Sequence, residues 1–251
     1  MLYCAFEERL EATAFVKANF RCRIQKRMGG RLCPPGVAGL RRANYGLRGA
    51  VGNVGLVVRN WILAYLDQIR KILDAMPLAE VEQVMDLLMD ARRRGARIFV
   101  LGNGGSAATA SHLACDLGKG TAFAGLERFK VIALTDNTPL ITAWANDFCY
   151  DDVFAEQLVS LLEARDVVIG ISGSGNSPNV LRAMELAKRM GATTIGLAGF
   201  RGGKLGEIVD HPVVIPVDHM GQAEDGHMIL IHLISYCLRD ILAQEAFANE
   251  A

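Results

Sequence analysis

From Val58 onward the chain alternates between two spacings of apolar residues. Trp61, Ile62, Tyr65, Leu66, Ile69, Ile72 and Leu73 recur at the helical period until Pro77 interrupts them. Leu78 to Arg94 predicts a second amphipathic helix, with Val81, Val84, Met85, Leu87 and Leu88 on its apolar side. Arg92, Arg93 and Arg94 sit in its last turn, where cations complement the helix dipole, and Gly95 ends it. Short apolar runs follow. Arg97–Leu101, Phe129–Leu134, Asp166–Ile171, Thr193–Leu197 and Pro212–Val217 read as strands. Between them, Ser106–Leu117, Thr138–Asn146, Val153–Ala164 and Pro178–Met190 read as helices, and Gly199–Gly206 as a loop. One long helix runs from Gln222 to about Gln244. Two helices followed by alternating βα units predict an α/β fold with a doubly wound, parallel, five-stranded sheet. Ligands of such sheets bind at the carboxyl ends of the strands, near the point where strand order reverses.

Residues 1–57 break the pattern. A short helix is expected around Glu7 to Phe20; then come Arg21-Cys22-Arg23-Ile24-Gln25-Lys26-Arg27, Gly29-Gly30 and Pro34-Pro35-Gly36, with no sustained period. The expectation is a disordered basic extension, or a start of translation placed too early, with a basic arm for an acidic partner as the alternative. The folded domain is expected over 58–251.

The formal net charge of zero conceals an asymmetry: residues 1–57 hold ten Lys/Arg against three Glu, and the remainder holds 17 basic and 24 acidic residues. The folded part is acidic, which argues against a nucleic-acid-binding surface there. No run reads as long and apolar enough to span a membrane, and Glu7, Glu8 and Arg9 interrupt any signal-peptide pattern. The six cysteines (Cys4, Cys22, Cys33, Cys115, Cys149 and Cys237) form no CxxC pair. They read as thiols of a reducing, cytoplasmic compartment.

Two loops carry the candidate chemistry. The first, Gly102-Asn103-Gly104-Gly105-Ser106, follows a strand and opens a helix, with Ser106 as the expected N-cap. A glycine loop leading into a helix N-terminus suits an anion; the alternative is a plain glycine-rich turn. Its helix carries His112 and Asp116, four apart and on one face. The second, Ser172-Gly173-Ser174-Gly175-Asn176-Ser177, offers three hydroxyls and backbone amides, with Ser177 as N-cap and Pro178 at the first helical position. It lacks the Gly-Lys-Ser/Thr of a P-loop.

These paired loops, with His112 six residues after the first, resemble the sugar isomerase (SIS) domain family, and within it the phosphoheptose isomerase branch. The resemblance covers roughly Val58 to the C-terminus. It implies a flavodoxin-like SIS domain and enediol acid/base chemistry that interconverts sedoheptulose 7-phosphate and D-glycero-D-manno-heptose 7-phosphate for surface polysaccharide. It further implies that Ser172, Gly173, Ser174 and Ser177 hold the phosphate and that Asn103, Gly104, Ser106 and Asp136 contact the sugar. His112, Asp116, Glu224 and His232 match a zinc-binding set, one ion per subunit. Asp116 and His232 double as the catalytic pair, Glu224 also meets substrate, and the assembly is a homotetramer.

Two positions depart from the branch. Asp116 stands where Glu is usual, one methylene shorter, and Glu224 replaces a neutral Gln. The residues alone leave His232, in an apolar helical run, open to a core role, and His227 reads as structural. His211 and His219 carry no case. The competing expectation is a non-catalytic SIS module that binds a phosphosugar or a protein.

Overall fold

The computed structural model describes residues 54–250. The chain divides into two compact units, 1–62 and 63–251. Of the first, the described residues 54–62 form the opening turns of helix α1, Val54–Asp74. The expectation of a basic, unstructured extension, including a short helix around Glu7 to Phe20, falls on residues outside the described ones.

In the second unit α1 ends at Asp74 and α2 spans Leu78–Arg93. Then follow β1 (Arg97–Gly102), α3 (Gly105–Cys115), a π-helical turn (Asp116–Gly120), β2 (Lys130–Ala133), α4 (Thr138–Asp147) and α5 (Ala155–Leu161). The chain continues through β3 (Val167–Ser172), α6 (Pro178–Arg189), β4 (Thr193–Ala198), α7 (Gly203–Ile208), β5 (His211–Val214) and α8 (Met220–Glu250). The sheet is parallel throughout, in the order β2-β1-β3-β4-β5. This is the doubly wound arrangement that the alternation predicts. Strand order reverses between β1 and β3, where Gly102 lies opposite Ile171, so the two glycine loops leave the sheet side by side.

Successive strand residues point to opposite faces and build two cores. Ile98, Val100, Ile169 and Ile171 pack with α2, α3 and α8 through Val84, Leu88, Leu113, Leu230 and Ile234. Phe99, Leu101 and Val168 face the other way, against Phe154, Leu158, Val180, Met184 and Leu205. Burying both faces explains why the central strands are almost continuously apolar.

Several boundaries differ from expectation. Helix α3 starts at Gly105, with Gly104 at its N-cap at φ 55°, so Ser106 lies inside the helix and does not cap it. The left-handed turn that Gly104 permits brings the helix in early. Residues 199–206, expected as a loop, contain the start of α7, which the left-handed Gly202 launches. Strand β5 ends at Val214, because beyond it the Val217 N–H turns back to the Ile215 carbonyl. Helix α8 corrects the expectation about membranes: over Met220–Asn249 it is long and apolar enough to cross one. Its apolar stripe (Ala223, Leu230, Ile231, Ile234, Leu238 and Leu242) is instead buried in the core.

Candidate active site

The serine loop is built from its own backbone. The Gly175 N–H donates to the Ser172 carbonyl at 2.9 Å, and Gly175 sits at φ +65°. A side chain there would overlap the Gly202 carbonyl, so only glycine fits this turn. The loop is tied to the start of α7 by Leu205 N–H to Gly175 O (2.8 Å) and Lys204 N–H to Asn176 Oδ1 (3.1 Å). Gly173 O accepts from the Gly199 N–H at 2.9 Å. Ser172 is buried, and its hydroxyl lies 3.1 Å from that of Ser177. Ser177 does occupy the N-cap of α6, with Pro178 at the first position, but its side chain pairs with Ser172 and not with a helix amide. Ser174 Oγ accepts from the Asn176 N–H at 3.2 Å. The result is a tight loop carrying three serine hydroxyls at a helix N-terminus, suited to an oxyanion.

The first loop lies beside it. Gly102 passes so close to α3 that a Cβ would come within 2.8 Å of the Ser106 Cβ, and Ser106 is buried. The Asn103 carboxamide pairs with that of Asn179, while the Tyr150 hydroxyl donates to Asn103 Oδ1 at 3.0 Å. At the end of β2, Asp136 is exposed and accepts from the Ser111 hydroxyl. Asp136 and Ser111 line an open cavity of about 690 Å³, with Cys115, Ile132, Asn137 and Pro139.

The third component draws on the far end of the chain. Helices α3 and α8 bring His112 and His232 together, with their Nε2 atoms 2.9 Å apart and rings edge to face. Asp116 Oδ2 lies 3.5 Å from His112 Nε2 and 3.3 Å from the Ser235 hydroxyl, whose one proton is also within reach of the His232 carbonyl at 3.1 Å. Ligand atoms of His112, Asp116 and His232 all fall within 4.8 Å of one another. All three residues remain partly open to solvent. Two imidazoles and a carboxylate this close form a chemically apt metal site, because neutral imidazole nitrogen and carboxylate oxygen are the donors zinc takes. At 2.9 Å, one nitrogen donates to the other when both rings are neutral, so the two rings take opposite tautomers at this contact.

Glu224 stands apart from that cluster. Its carboxylate covers the first turn of α3, where a Cβ on Gly105 would approach Oε2 to 2.7 Å. An anion over a helix N-terminus is favourably placed against the dipole. The neighbouring residue, Asp225, accepts a hydrogen bond from the Tyr65 hydroxyl; that bond, with burial and the charges of Asp225 and Glu224, holds the phenol above its ordinary pKa. His227 is buried, as the sequence suggests for a structural histidine, and burial depresses its pKa. Its ring lies by the Ala198 carbonyl, but neither nitrogen reaches a hydrogen bond of normal geometry. His219, passed over by the sequence reading, caps α8: the Gln222 N–H donates to its Nδ1 at 3.3 Å. Asn179 and Tyr150 were also missed. Asn179 directly follows Ser177-Pro178 at a helix start, a place where an Asn side chain commonly bonds locally; Tyr150 carries no such signal.

The SIS domain family model matches residues 64–199, which hold both loops, His112 and Asp116. The chain belongs to the SIS domain family. A phosphoheptose isomerase of Geotalea daltonii is 39% identical over 177 residues, covering 68% of this chain and 86% of its own. One from Helicobacter pylori is 37% identical, over 72% of this chain and 94% of its own. The solved phosphoheptose isomerase of Neisseria gonorrhoeae superposes with a TM-score of 0.66 at 29% identity, covering 72% of this chain and 98% of its own. This SIS domain is therefore a homologue of phosphoheptose isomerases, which are aldose–ketose isomerases.

Proposed function

We propose that the chain is an aldose–ketose isomerase that interconverts sedoheptulose 7-phosphate and D-glycero-D-manno-heptose 7-phosphate. The observation that carries this reading is the convergence of His112 and Asp116 with the distant His232 in a chain homologous to phosphoheptose isomerases. Moving a proton between adjacent carbons needs a base at the carbon acid, an acid at the carbonyl oxygen and a counter to the developing enediolate charge.

Asp116 and His232 divide the base and acid roles. The Ser235 hydroxyl lies between the His232 carbonyl (3.1 Å) and Asp116 Oδ2 (3.3 Å), so its single proton serves one of them at a time and gives the shorter carboxylate a neighbour that can steady it. Ser172, Ser174 and Ser177, with the amides of Gly173 and its neighbours, hold the phosphate and so orient the sugar. Asn103, Gly104, Ser106 and Asp136 contact the sugar hydroxyls. Zinc is the metal proposed for His112, Asp116 and His232, with Glu224 as a fourth ligand or a substrate contact. When bound it would supply a Lewis acid for a carbonyl oxygen.

The exposed apolar residues of α1 in the second unit (Leu63, Tyr65, Leu66 and Leu73) support an oligomer, proposed here as a homotetramer in the cytoplasm. Surface-polysaccharide synthesis is the proposed destination of the product. Metal analysis of the purified full chain, with an isomerase assay across ketose phosphates of five to seven carbons, tests the function. About one zinc per chain and turnover of the seven-carbon substrate are expected. Neither metal nor turnover of any member of the panel would refute the reading.

A further inference from the structure

The two loops at the switch point are joined by a pair of carboxamides. Asn103 Nδ2 donates to Asn179 Oδ1 at 2.7 Å, and Asn179 Nδ2 donates to Asn103 Oδ1 at 2.9 Å. Asn179, the second residue of α6, is 1% exposed. Its orientation is fixed by its own helix: the backbone N–H of Val180, which can only donate, meets Asn179 Oδ1 at 2.9 Å. Asn179 must therefore turn its Nδ2 to Asn103, and Asn103 must answer with its oxygen. The Tyr150 hydroxyl donates to that same oxygen at 3.0 Å and holds it from the other side.

A carboxamide has two acceptor positions and two N–H donors. On Asn103 both acceptor positions and one donor are engaged. The second Nδ2 hydrogen has no acceptor among the described residues, and Asn103 is half-buried within the first loop, the one proposed to contact the sugar. A lone amide in that position would be free to flip and to present either a donor or an acceptor. This one is not.

We propose that Asn179 and Tyr150 are positioning residues, locking the Asn103 carboxamide in the one orientation that offers its free N–H to an oxygen of the sugar phosphate. The lock rests on the reading of this chain as a phosphosugar isomerase and adds to it a source of selectivity. The loop accepts a ligand oxygen that can take a hydrogen bond and disfavours a group that can only give one. The relay runs from the backbone of α6 to the sugar loop, so it also keeps the sugar contact in register with the phosphate loop that opens α6.

Calorimetric titration of sedoheptulose 7-phosphate, and separately of inorganic phosphate, into the full chain tests this. Asn179→Asp keeps the acceptor that Val180 needs but sets an oxygen against Asn103 Oδ1. It is expected to weaken sugar-phosphate binding about tenfold while inorganic phosphate binds unchanged. Tyr150→Phe, at an exposed residue that leaves the fold intact, is expected to weaken sugar-phosphate binding about threefold. In an Asn103→Ala background neither change should have a further effect, because both act through Asn103. Equal losses for the two ligands, additive losses in the Asn103→Ala background, or wild-type affinity in both variants would each overturn the lock. If the wild type binds fructose 6-phosphate but not the heptose, the substrate assignment fails and the same variants judge the lock on the shorter sugar. If it binds inorganic phosphate but no sugar phosphate, the lock fails too.

Discussion

The serine loop and the His/Asp cluster hold their functional groups in opposite ways. The loop is six consecutive residues, cross-braced by its own backbone and packed against Gly202 and Gly203 until no side chain fits at position 175. Its geometry exists before any ligand arrives. The cluster joins residues 120 positions apart, stands partly in solvent and is held by side-chain contacts alone: the two imidazoles meeting each other, Asp116 beside His112, and the Ser235 hydroxyl. Binding chemistry thus rests on a rigid local motif and reaction chemistry on an open, long-range meeting of two helices. A fault in the first should damage fold and affinity together. A fault in the second should damage turnover alone.

The largest effect expected is on that second side. His232→Ala or Asp116→Ala should lower kcat about 10²–10⁴-fold, the usual contribution of a positioned acid or base. Because both side chains are partly exposed, the unfolding free energy from a urea titration should change by no more than about 0.5 kcal/mol. Steady-state kinetics beside a urea titration separates the two readouts. Near-full turnover in both variants would remove the cluster from the chemistry.

Gly175→Ala attacks the loop. It forces a side chain into a left-handed residue and into the Gly202 carbonyl, which should cost about 2–3 kcal/mol of stability and weaken phosphate binding with it. A variant that lost stability yet bound inorganic phosphate as tightly as the wild type would uncouple the two properties and break the comparison.

The smallest effect concerns His227, which lies on α8 between the two regions. Burial lowers its pKa in the folded chain, so the unfolded chain takes up a proton first as pH falls. The neutral ring's contribution to stability is whole above the ordinary histidine pKa of about 6.5 and declines as pH drops below it. Exchange for the similarly sized, non-titrating His227→Met should flatten that decline. Urea midpoints at pH 7.5 and pH 5.0 for both proteins read it; parallel shifts would show that other groups carry the acid sensitivity.

Part of this site was legible without coordinates. Gly175, Ser177 and Pro178 signal a turn feeding a helix through local sterics alone, and the structure places all three where the spacing predicts. His112 and Asp116 share a helix face for the same reason. Ser106 misled because the left-handed turn at Gly104, two residues earlier, decides where α3 starts. Glu224, which the resemblance places with the metal set, has its carboxylate over the first turn of α3, a long-range placement that its own neighbourhood in the sequence does not reveal. Asn179 gave a weak local sign and Tyr150 none, since their value depends on a third residue on another element.

By itself, then, the sequence determined the period of every strand and most helices, the two-faced parallel sheet, the serine turn and the pairing of His112 with Asp116. Each of these depends on interactions within a few residues or on a repeating pattern of burial. Tertiary structure alone decided that His232 meets His112, that the Glu224 carboxylate rests over the first turn of α3, and that α8 buries its apolar stripe against a sheet. Those outcomes follow from which helix faces pack together, and packing is settled by shape and burial across the whole core.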